Sequence, residues 1–346
     1  MGWYAAARIH PGARLSARFQ GACDFAGLAY DRAAVLRELA VVAQQPAMSD
    51  ERRGFLLGVT AYLIWGFAAL YWTQAEPVKA QDLLAHRAFW SMPFVLLCLL
   101  FIGRFRAALA ILRQPWTMVM MTTSALLGAT NWLVFLWAIS HERASEAALG
   151  YFLLPLVNVV IGLTVFRESI DTPQKVGVGF ALAAVLLQVS SHGGLPLVAL
   201  GLSLSFGLYG GIRKKVNVGS LEGLFIETLV MSPFALAWIV YREGAGLGQY
   251  GLGVDLVLLG AGAFTAIPLI AYVAAGRLLP LSALGLVFYI GPTAQLLVAV
   301  FAFGEAFTGV QAAAFVLVWI GLAFVTVDNY RRSRKLRRQR TLSAEG

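Results

Sequence analysis

Long apolar stretches with few charged residues most constrain what this chain can fold into. Ten such stretches, each bounded by charged or turn-forming residues, follow one another from residue 54 to residue 327. A helix needs about 20 apolar residues to cross the ~30 Å hydrocarbon core of a bilayer. The composition agrees, since 59% of the residues are hydrophobic and 13% are charged, against about a quarter charged in soluble domains. The sequence therefore predicts an integral membrane protein and excludes an ordinary soluble domain.

The predicted fold class is all-α, with ten transmembrane helices. Lipid forces the backbone hydrogen bonds of each span to close within that span, and the stretches lack the alternation of barrel strands. The predicted spans are residues 54–72, 83–102, 116–139, 147–166, 176–190, 195–212, 221–240, 256–275, 281–303 and 310–327.

The distribution of basic residues predicts the orientation of these spans. Of the 27 Lys and Arg residues, 23 fall on the side of the N-terminus, including the triplet 213–215. Only Lys79, Arg143 and Arg242 fall on the other side, and Arg87 lies inside a span. Because cytoplasmic loops carry the excess of Lys and Arg, both termini are predicted to be cytoplasmic.

The two ends of the chain differ from the spans. Residues 1–47 contain five arginines, no lysine and no apolar core of signal-peptide length, and we expect a disordered extension or an over-extended start. Residues 330–346 form a basic cytoplasmic tail. Seven basic residues directly after a last span are typical of contact with anionic lipid rather than nucleic acid.

Similar motifs recur in the two halves of the chain. In the fourth span, Pro155 is followed by Asn158 and Glu168, and in the ninth span Pro292 is followed by Gln295 and Glu305, each 137 residues later. A Pro-Phe pair follows Arg87 by six residues in the second span and follows Glu227 by six in the seventh. These matches predict a duplication of residues 52–191 as residues 195–329.

The predicted repeat unit has five spans, so the second copy enters the membrane from the opposite side. Two inverted halves that enclose a site near the middle of the bilayer are typical of secondary transporters. The sequence therefore predicts two inverted five-helix repeats.

Several local strings carry a resemblance to a known family. They are Ala-His-Arg-Ala-Phe-Trp-Ser at 85–91, Asn131-Trp132, Leu-Gly-Tyr-Phe at 149–152 with Pro155, Tyr209-Gly210, and Ile-Gly-Pro-Thr at 290–293. Over about residues 52 to 334 the chain closely resembles the RarD permeases, which belong to the EamA branch of the drug/metabolite transporter superfamily. The resemblance implies two EamA repeats of five helices, cytoplasmic termini, a central cavity and a place in the bacterial inner membrane.

Arg87 and Glu227 are the ionisable residues that we place well inside spans. Placing a charged side chain within the bilayer costs free energy, so such a residue is by default predicted to have a function. We predict that Arg87 holds an anionic group of a substrate and that Glu227 exchanges a proton during transport. The alternative is that the two side chains reach towards opposite interfaces and only fix helix position.

Further polar and aromatic residues are predicted to line a substrate site. Asn158 and Gln295 each follow a proline by three residues, so their amides could instead bond the freed carbonyl or join helices. The full set of substrate-binding candidates is Trp65, Arg87, Asn131, Trp132, Tyr151, Asn158, Tyr289 and Gln295.

Other features have structural interpretations. Glu168 and Glu305 are predicted to cap helices or to bind loops rather than substrate. The pairs Gly54 with Gly58 and Gly207 with Gly211 are predicted to allow close helix packing.

The sequence favours a secondary transporter of a small organic metabolite or drug that works by alternating access and is coupled to protons. The chain carries no Walker A loop, and its two cysteines, Cys23 and Cys98, cannot form a zinc site. We therefore expect no cofactor, no metal and no enzymatic activity. A membrane-embedded enzyme of lipid or acyl-group chemistry is the alternative. The sequence leaves open whether the chain forms a homodimer.

Overall fold

Apolar helices dominate the computed structural model, which describes residues 49–141, 143–192, 197–304, 309–310, 312–324 and 327. Every regular element in these ranges is helical. The predicted all-α fold class is therefore confirmed. The predicted extension 1–47, the basic tail 330–346 and Glu305 lie outside the described residues and stay predictions.

The helices are numbered here in chain order. A single 3-10 turn, Thr73–Ala75, follows the second of them. The helices are α1 (Asp50–Gly66), α2 (Ala68–Trp72), α3 (Ala80–Phe101), α4 (Phe105–Ile111), α5 (Pro115–Ser140), α6 (Ala144–Thr164), α7 (Thr172–His192), α8 (Leu197–Lys215), α9 (Ser220–Tyr241), α10 (Leu252–Leu278), α11 (Leu281–Val287), α12 (Ile290–Phe301) and α13 (Ala312–Phe324).

Six helical segments are long and apolar enough to cross a membrane. They lie in α3, α5, α7, α9, α10 and the combined stretch Leu281–Val298, and the bent pair of α1 with α2 makes a seventh. In the described ranges α6 and α13 are shorter apolar helices, and α8 ends in three basic residues. The chain is a multi-pass membrane protein, and the count of ten spans stays a prediction.

Two of the predicted spans have an interrupted helix, although only the first is strongly bent. The first bends by 46° between α1 and the segment that begins at Ala68. The ninth breaks between α11 and α12, just before Pro292. Proline has no N–H to offer the carbonyl four residues earlier, and that carbonyl, on Phe288, accepts the N–H of Gly291 instead at 2.9 Å.

The most extensive helix contacts join the two halves of the chain rather than helices of one half. Helix α8 packs on α6, and α12 packs on α1. Helix α10 packs on α1, and α8 packs on α5. If the halves are repeats, the second contact of each pair is the counterpart of the first. The packing therefore agrees with the predicted duplication, which itself stays a prediction.

Glycines allow several of these contacts to be close, as the sequence predicted. A Cβ at Gly54 would lie 2.8 Å from the Cβ of Leu278, and a Cβ at Gly207 would lie 2.5 Å from Val157 Cγ1. Real Cβ atoms do not approach that closely, so a larger residue would separate α1 from α10 or α8 from α6.

Candidate functional site

A cavity of about 440 Å³ lies between the helices of both halves. Its walls are mainly aromatic and aliphatic. Six of the predicted substrate-binding residues line it, and they are Trp65, Arg87, Asn131, Trp132, Tyr151 and Gln295.

The cavity occupies one end of the helix bundle. Along α1 it begins at Tyr62 and continues through α2 to Trp72, and along α12 it continues to Phe303 beyond the helix end. On α3, which runs back from that end, only Arg87 near the helix start reaches the cavity. In the predicted topology this end is the external one.

Arg87 is the charged group of the cavity wall. Its guanidinium carbon lies 4.7 Å from the ring centroid of Trp72 and 5.3 Å from that of Trp132. Its Nε donates a hydrogen bond to Thr265 Oγ1 at 3.2 Å. No carboxylate within the described ranges pairs with it. A cation held over two indole rings is stabilised by their negative faces but is not neutralised.

The close packing of α3 on α10 sets the position of Arg87. Ser91 lies one turn after Arg87, and its hydroxyl donates to the Arg87 carbonyl at 2.6 Å and lies 3.3 Å from the Gly262 carbonyl. Thr265 lies three residues after Gly262 on α10, so the same contact brings its hydroxyl to the guanidinium. The backbone of two helices therefore fixes the position of the cation.

Asn131 and Gln295 line the cavity and also join helices. Asn131 Nδ2 donates to the Leu202 carbonyl at 2.8 Å and to Ser205 Oγ at 3.0 Å, which links α5 to α8. Gln295 Nε2 donates to the Trp65 carbonyl at 3.4 Å, next to the bend after α1. The two interpretations that the sequence allowed, cavity lining and helix joining, hold together for Gln295.

The structure does not bring Asn158 or Tyr289 to the cavity. Asn158 is fully buried, and its amide makes no hydrogen bond to the residues that are described. The Tyr289 hydroxyl donates to the Phe152 carbonyl at 3.1 Å, so this side chain joins α6 to the break before α12. Both residues lie in the packing between helices.

Glu227 lies in a separate buried cluster behind the cavity wall. Ser124 Oγ donates to its Oε1 at 2.5 Å, and the Tyr209 hydroxyl donates to its Oε2 at 3.3 Å. Arg213 Nε lies 3.4 Å from Oε1, and both charged side chains are at most 4% exposed. A small space beside Glu227 shares Trp132 with the cavity wall.

Arg213 lies inside a helix and is buried, whereas the sequence predicted a charge in a cytoplasmic loop. Helix α8 continues to Lys215, three residues beyond the predicted span, and Arg213 is 2% exposed. Its Nη2 donates to the carbonyl of Ser220 at the start of α9 at 3.0 Å. The signal that could have found it is its spacing of four residues from Tyr209, which places both on one helix face.

Two further carboxylates are buried near helix ends, so Glu227 is not the only buried acid. Asp82 pairs with Arg242 at 3.0 Å, and Glu222 pairs with Arg104 at 2.6 Å. Both carboxylates are at most 5% exposed. They are structural pairs and lie outside the cavity wall.

Glu168 caps the start of α11, which confirms its predicted role. Its carboxylate accepts the backbone N–H groups of Leu281 at 2.7 Å and of Ser282 at 3.0 Å, and Lys214 lies 3.4 Å away. Burial raises the pKa of the Glu168 carboxyl, but these hydrogen bonds and the Lys214 charge outweigh burial and hold that pKa below its usual value. The cap joins the loop after α6 to the second half of the chain.

Comparisons with known proteins agree with this geometry. The EamA-like transporter family matches residues 52–190. An uncharacterized transporter of Vibrio cholerae is 36% identical over 85% of this chain and 99% of its own length. Protein RarD of Salmonella typhi is 37% identical over 82% of this chain and 98% of its own length. A solved crystal structure with 21% identity has a similar fold, with a TM-score of 0.63 over 79% of this chain and 97% of that one.

Proposed function

The chain belongs to the EamA-like transporter family, as a relative of the RarD proteins, and we propose that it moves a small organic molecule across the bacterial inner membrane by alternating access. The transporter names of its relatives point to a role in transport rather than in catalysis. The observation that carries the proposal is the cavity of about 440 Å³ whose walls come from both halves of the chain. Transport sites of this kind lie between two halves that move against each other.

The conformation supports an outward-facing state. The cavity lies at the predicted external end, and a cluster of aromatic rings closes it towards the other end. Ring centroids in this cluster lie 6.2 Å apart for Tyr62 and Tyr272, 5.3 Å for Phe206 and Tyr272, and 5.4 Å for Phe206 and Tyr209. Opening to the cytoplasm would require these rings to separate.

The two broken helices support a way for the halves to move. The bend after α1 and the break before α12 lie side by side, because a Cβ at Gly66 would be 3.1 Å from the Gly291 carbonyl oxygen. Discontinuous helices at a central site are a recurrent feature of transporters. We propose that α2 and α12 move about these breaks.

Proton coupling is proposed at Glu227. Protonation of its carboxylate would remove the charge that faces Arg213 and leave the buried guanidinium without a counter-charge. This change would weaken the contact of α8 with α9 behind the cavity, where Tyr209 joins the aromatic cluster to Glu227. The proton would thereby favour separation of the same rings that close the cavity.

Flux through the purified protein tests the proposal. The protein is reconstituted into liposomes that are preloaded with one unlabelled compound, and entry of the labelled compound is followed for a set of organic acids, amino acids and amines. We expect at least one compound to enter faster than it enters liposomes that lack the protein. Entry of every compound at the rate of protein-free liposomes would contradict the proposed function.

A further inference from the structure

We propose that the cavity binds a small organic monoanion with a flat apolar body. The anionic group of this ligand lies against Arg87, and the ligand carries no cationic group near its anionic group. The inference rests on the proposed function, because it names the class of substrate for the same site.

The cavity wall carries a positive charge at Arg87. Arg87 is the one charged residue among the described residues that line the cavity. The nearest buried carboxylate cluster is that of Glu227, which already faces Arg213 at 3.4 Å. Arg87 is only partly exposed and no described carboxylate pairs with it, so an anionic ligand would supply the missing counter-charge.

The neighbours of the Arg87 guanidinium leave its two terminal nitrogens available to a ligand. Trp72 and Trp132 lie within 5.3 Å of the guanidinium carbon, and Nε is occupied by Thr265. Neither terminal nitrogen has a hydrogen bond or an ion pair to any residue in the described ranges. The planar fork that remains matches the two oxygens of a carboxylate.

The rest of the cavity wall is mainly apolar and aromatic. Rings of Tyr62, Trp65, Phe206 and Phe288 face the cavity and offer apolar contact. The amides of Asn131 and Gln295 already donate to backbone carbonyls. Among the described residues of the wall, no carboxylate can receive an ammonium group. An amino acid would therefore find no carboxylate for its ammonium among these residues, whereas the corresponding deaminated acid needs none.

Four compounds with one phenylpropyl skeleton test this class. They are 3-phenylpropionate, phenylalanine, 3-phenylpropylamine and 3-phenylpropan-1-ol, and they share the phenyl ring and differ in the polar groups at the other end. Binding to the purified full chain is measured by calorimetry and by tryptophan fluorescence. We expect 3-phenylpropionate to bind at least about tenfold more tightly than each of the others. Equal or tighter binding of the amine, the alcohol or phenylalanine would overturn the inference, as would absence of binding by all four.

Variants of Arg87 assign the preference to this residue. Arg87→Gln is expected to remove the advantage of the acid over the alcohol, and Arg87→Lys to keep part of it, because an ammonium retains the charge but not the planar fork. Arg106→Gln removes an exposed cation outside the cavity and is expected to bind as the native chain does. An unchanged preference in Arg87→Gln would overturn the inference. If Arg87→Gln does not fold, a full native preference in Arg87→Lys would overturn it.

The inference and the proposed function can fail separately. Binding of 3-phenylpropionate that depends on Arg87, without flux of any compound, would keep the site and contradict transport. Flux of an amine or a neutral compound that is independent of Arg87 would keep transport and contradict the anionic class.

Discussion

Arg87 and Glu227 occupy matching places in the two predicted repeats, but their surroundings differ. Arg87 lies in the cavity wall against two indole rings, without a carboxylate partner in the described part of the chain. Glu227 lies behind the wall and faces Arg213. Duplication followed by divergence would give one half a charge for binding and the other half a charge for coupling.

The ion pair of Glu227 with Arg213 should be visible in stability. Glu227→Gln leaves the guanidinium buried without a counter-charge, which typically costs about 3 to 5 kcal/mol. We expect Glu227→Gln and Arg213→Met each to lower the thermal midpoint of the protein in detergent. The double variant should lose much less than the sum of the two. Strictly additive losses would show that the two side chains do not interact.

The same carboxylate should couple transport to protons. Glu227→Gln cannot lose and regain a charge, so we expect uptake driven by a pH gradient to stop while binding of 3-phenylpropionate persists. Glu222→Gln is the matched control, because Glu222 is also buried on α9 but pairs with Arg104 away from the cavity. If Glu227→Gln keeps the native pH dependence of uptake, the protein is a facilitator or an exchanger.

At the scale of single residues, polarity within an apolar span was an informative signal. It identified Arg87, Asn131 and Gln295, which all reach the cavity. It also selected Asn158, which packs between helices, because periodicity does not tell which neighbour a helix face meets. Arg213 was missed for the reverse reason, since hydrophobicity placed the end of its span three residues too early.

Helix packing around glycine makes a prediction at the scale of elements. A Cβ at Gly262 would overlap the backbone of Trp90 and lie 2.6 Å from the Ser91 nitrogen, whereas a Cβ at Gly179 would meet nothing within 4 Å. We expect Gly262→Ala to separate α3 from α10 and to destabilise the protein by at least about 1 to 3 kcal/mol. Gly179→Ala, on the exposed face of α7, is the control and should not destabilise the protein, because alanine favours a helix over glycine. Equal midpoints for the two variants would contradict the packing described.

The cap of α11 predicts a dependence of stability on pH. Because the pKa of Glu168 is lower in the folded chain, its contribution is present above the ordinary glutamate value of 4.5 and is lost as the pH falls through the folded value. We expect Glu168→Gln to be less stable than the native chain at pH 7. The difference between them should shrink in acid below pH 4.5. A difference that stays constant as the pH falls would contradict the role of the Glu168 charge.

The sequence predicted where helices lie but not where they break. Pro292 announces the break before α12, yet Pro155, Pro93 and Pro233 lie inside continuous helices. Tertiary packing decides whether the missing hydrogen bond interrupts a helix. Proline positions therefore mark candidates, and the neighbouring helices select among them.

At the scale of the whole molecule, the two halves are interleaved so that the cavity belongs to neither. The walls alternate between α1, α3, α5 and α6 of the first half and α8, α10 and α12 of the second. Composition and charge distribution predict a membrane protein with ten apolar stretches. They do not predict which end of the bundle is open, because that depends on the balance between two packings of the same helices.

Access to the cavity from both sides of the membrane tests the central claim most directly. A single cysteine at Gln295, in a chain with Cys23→Ser and Cys98→Ser, is exposed to a membrane-impermeant thiol reagent in right-side-out and in inside-out vesicles. Val95→Cys, at a buried position, and Val316→Cys, at a position that is 57% exposed on the apolar helix α13, are the controls and should stay unlabelled. Alternating access predicts that the cysteine at position 295 reacts in both kinds of vesicle and that 3-phenylpropionate slows the reaction. Reaction from the external side alone would contradict transport through this cavity.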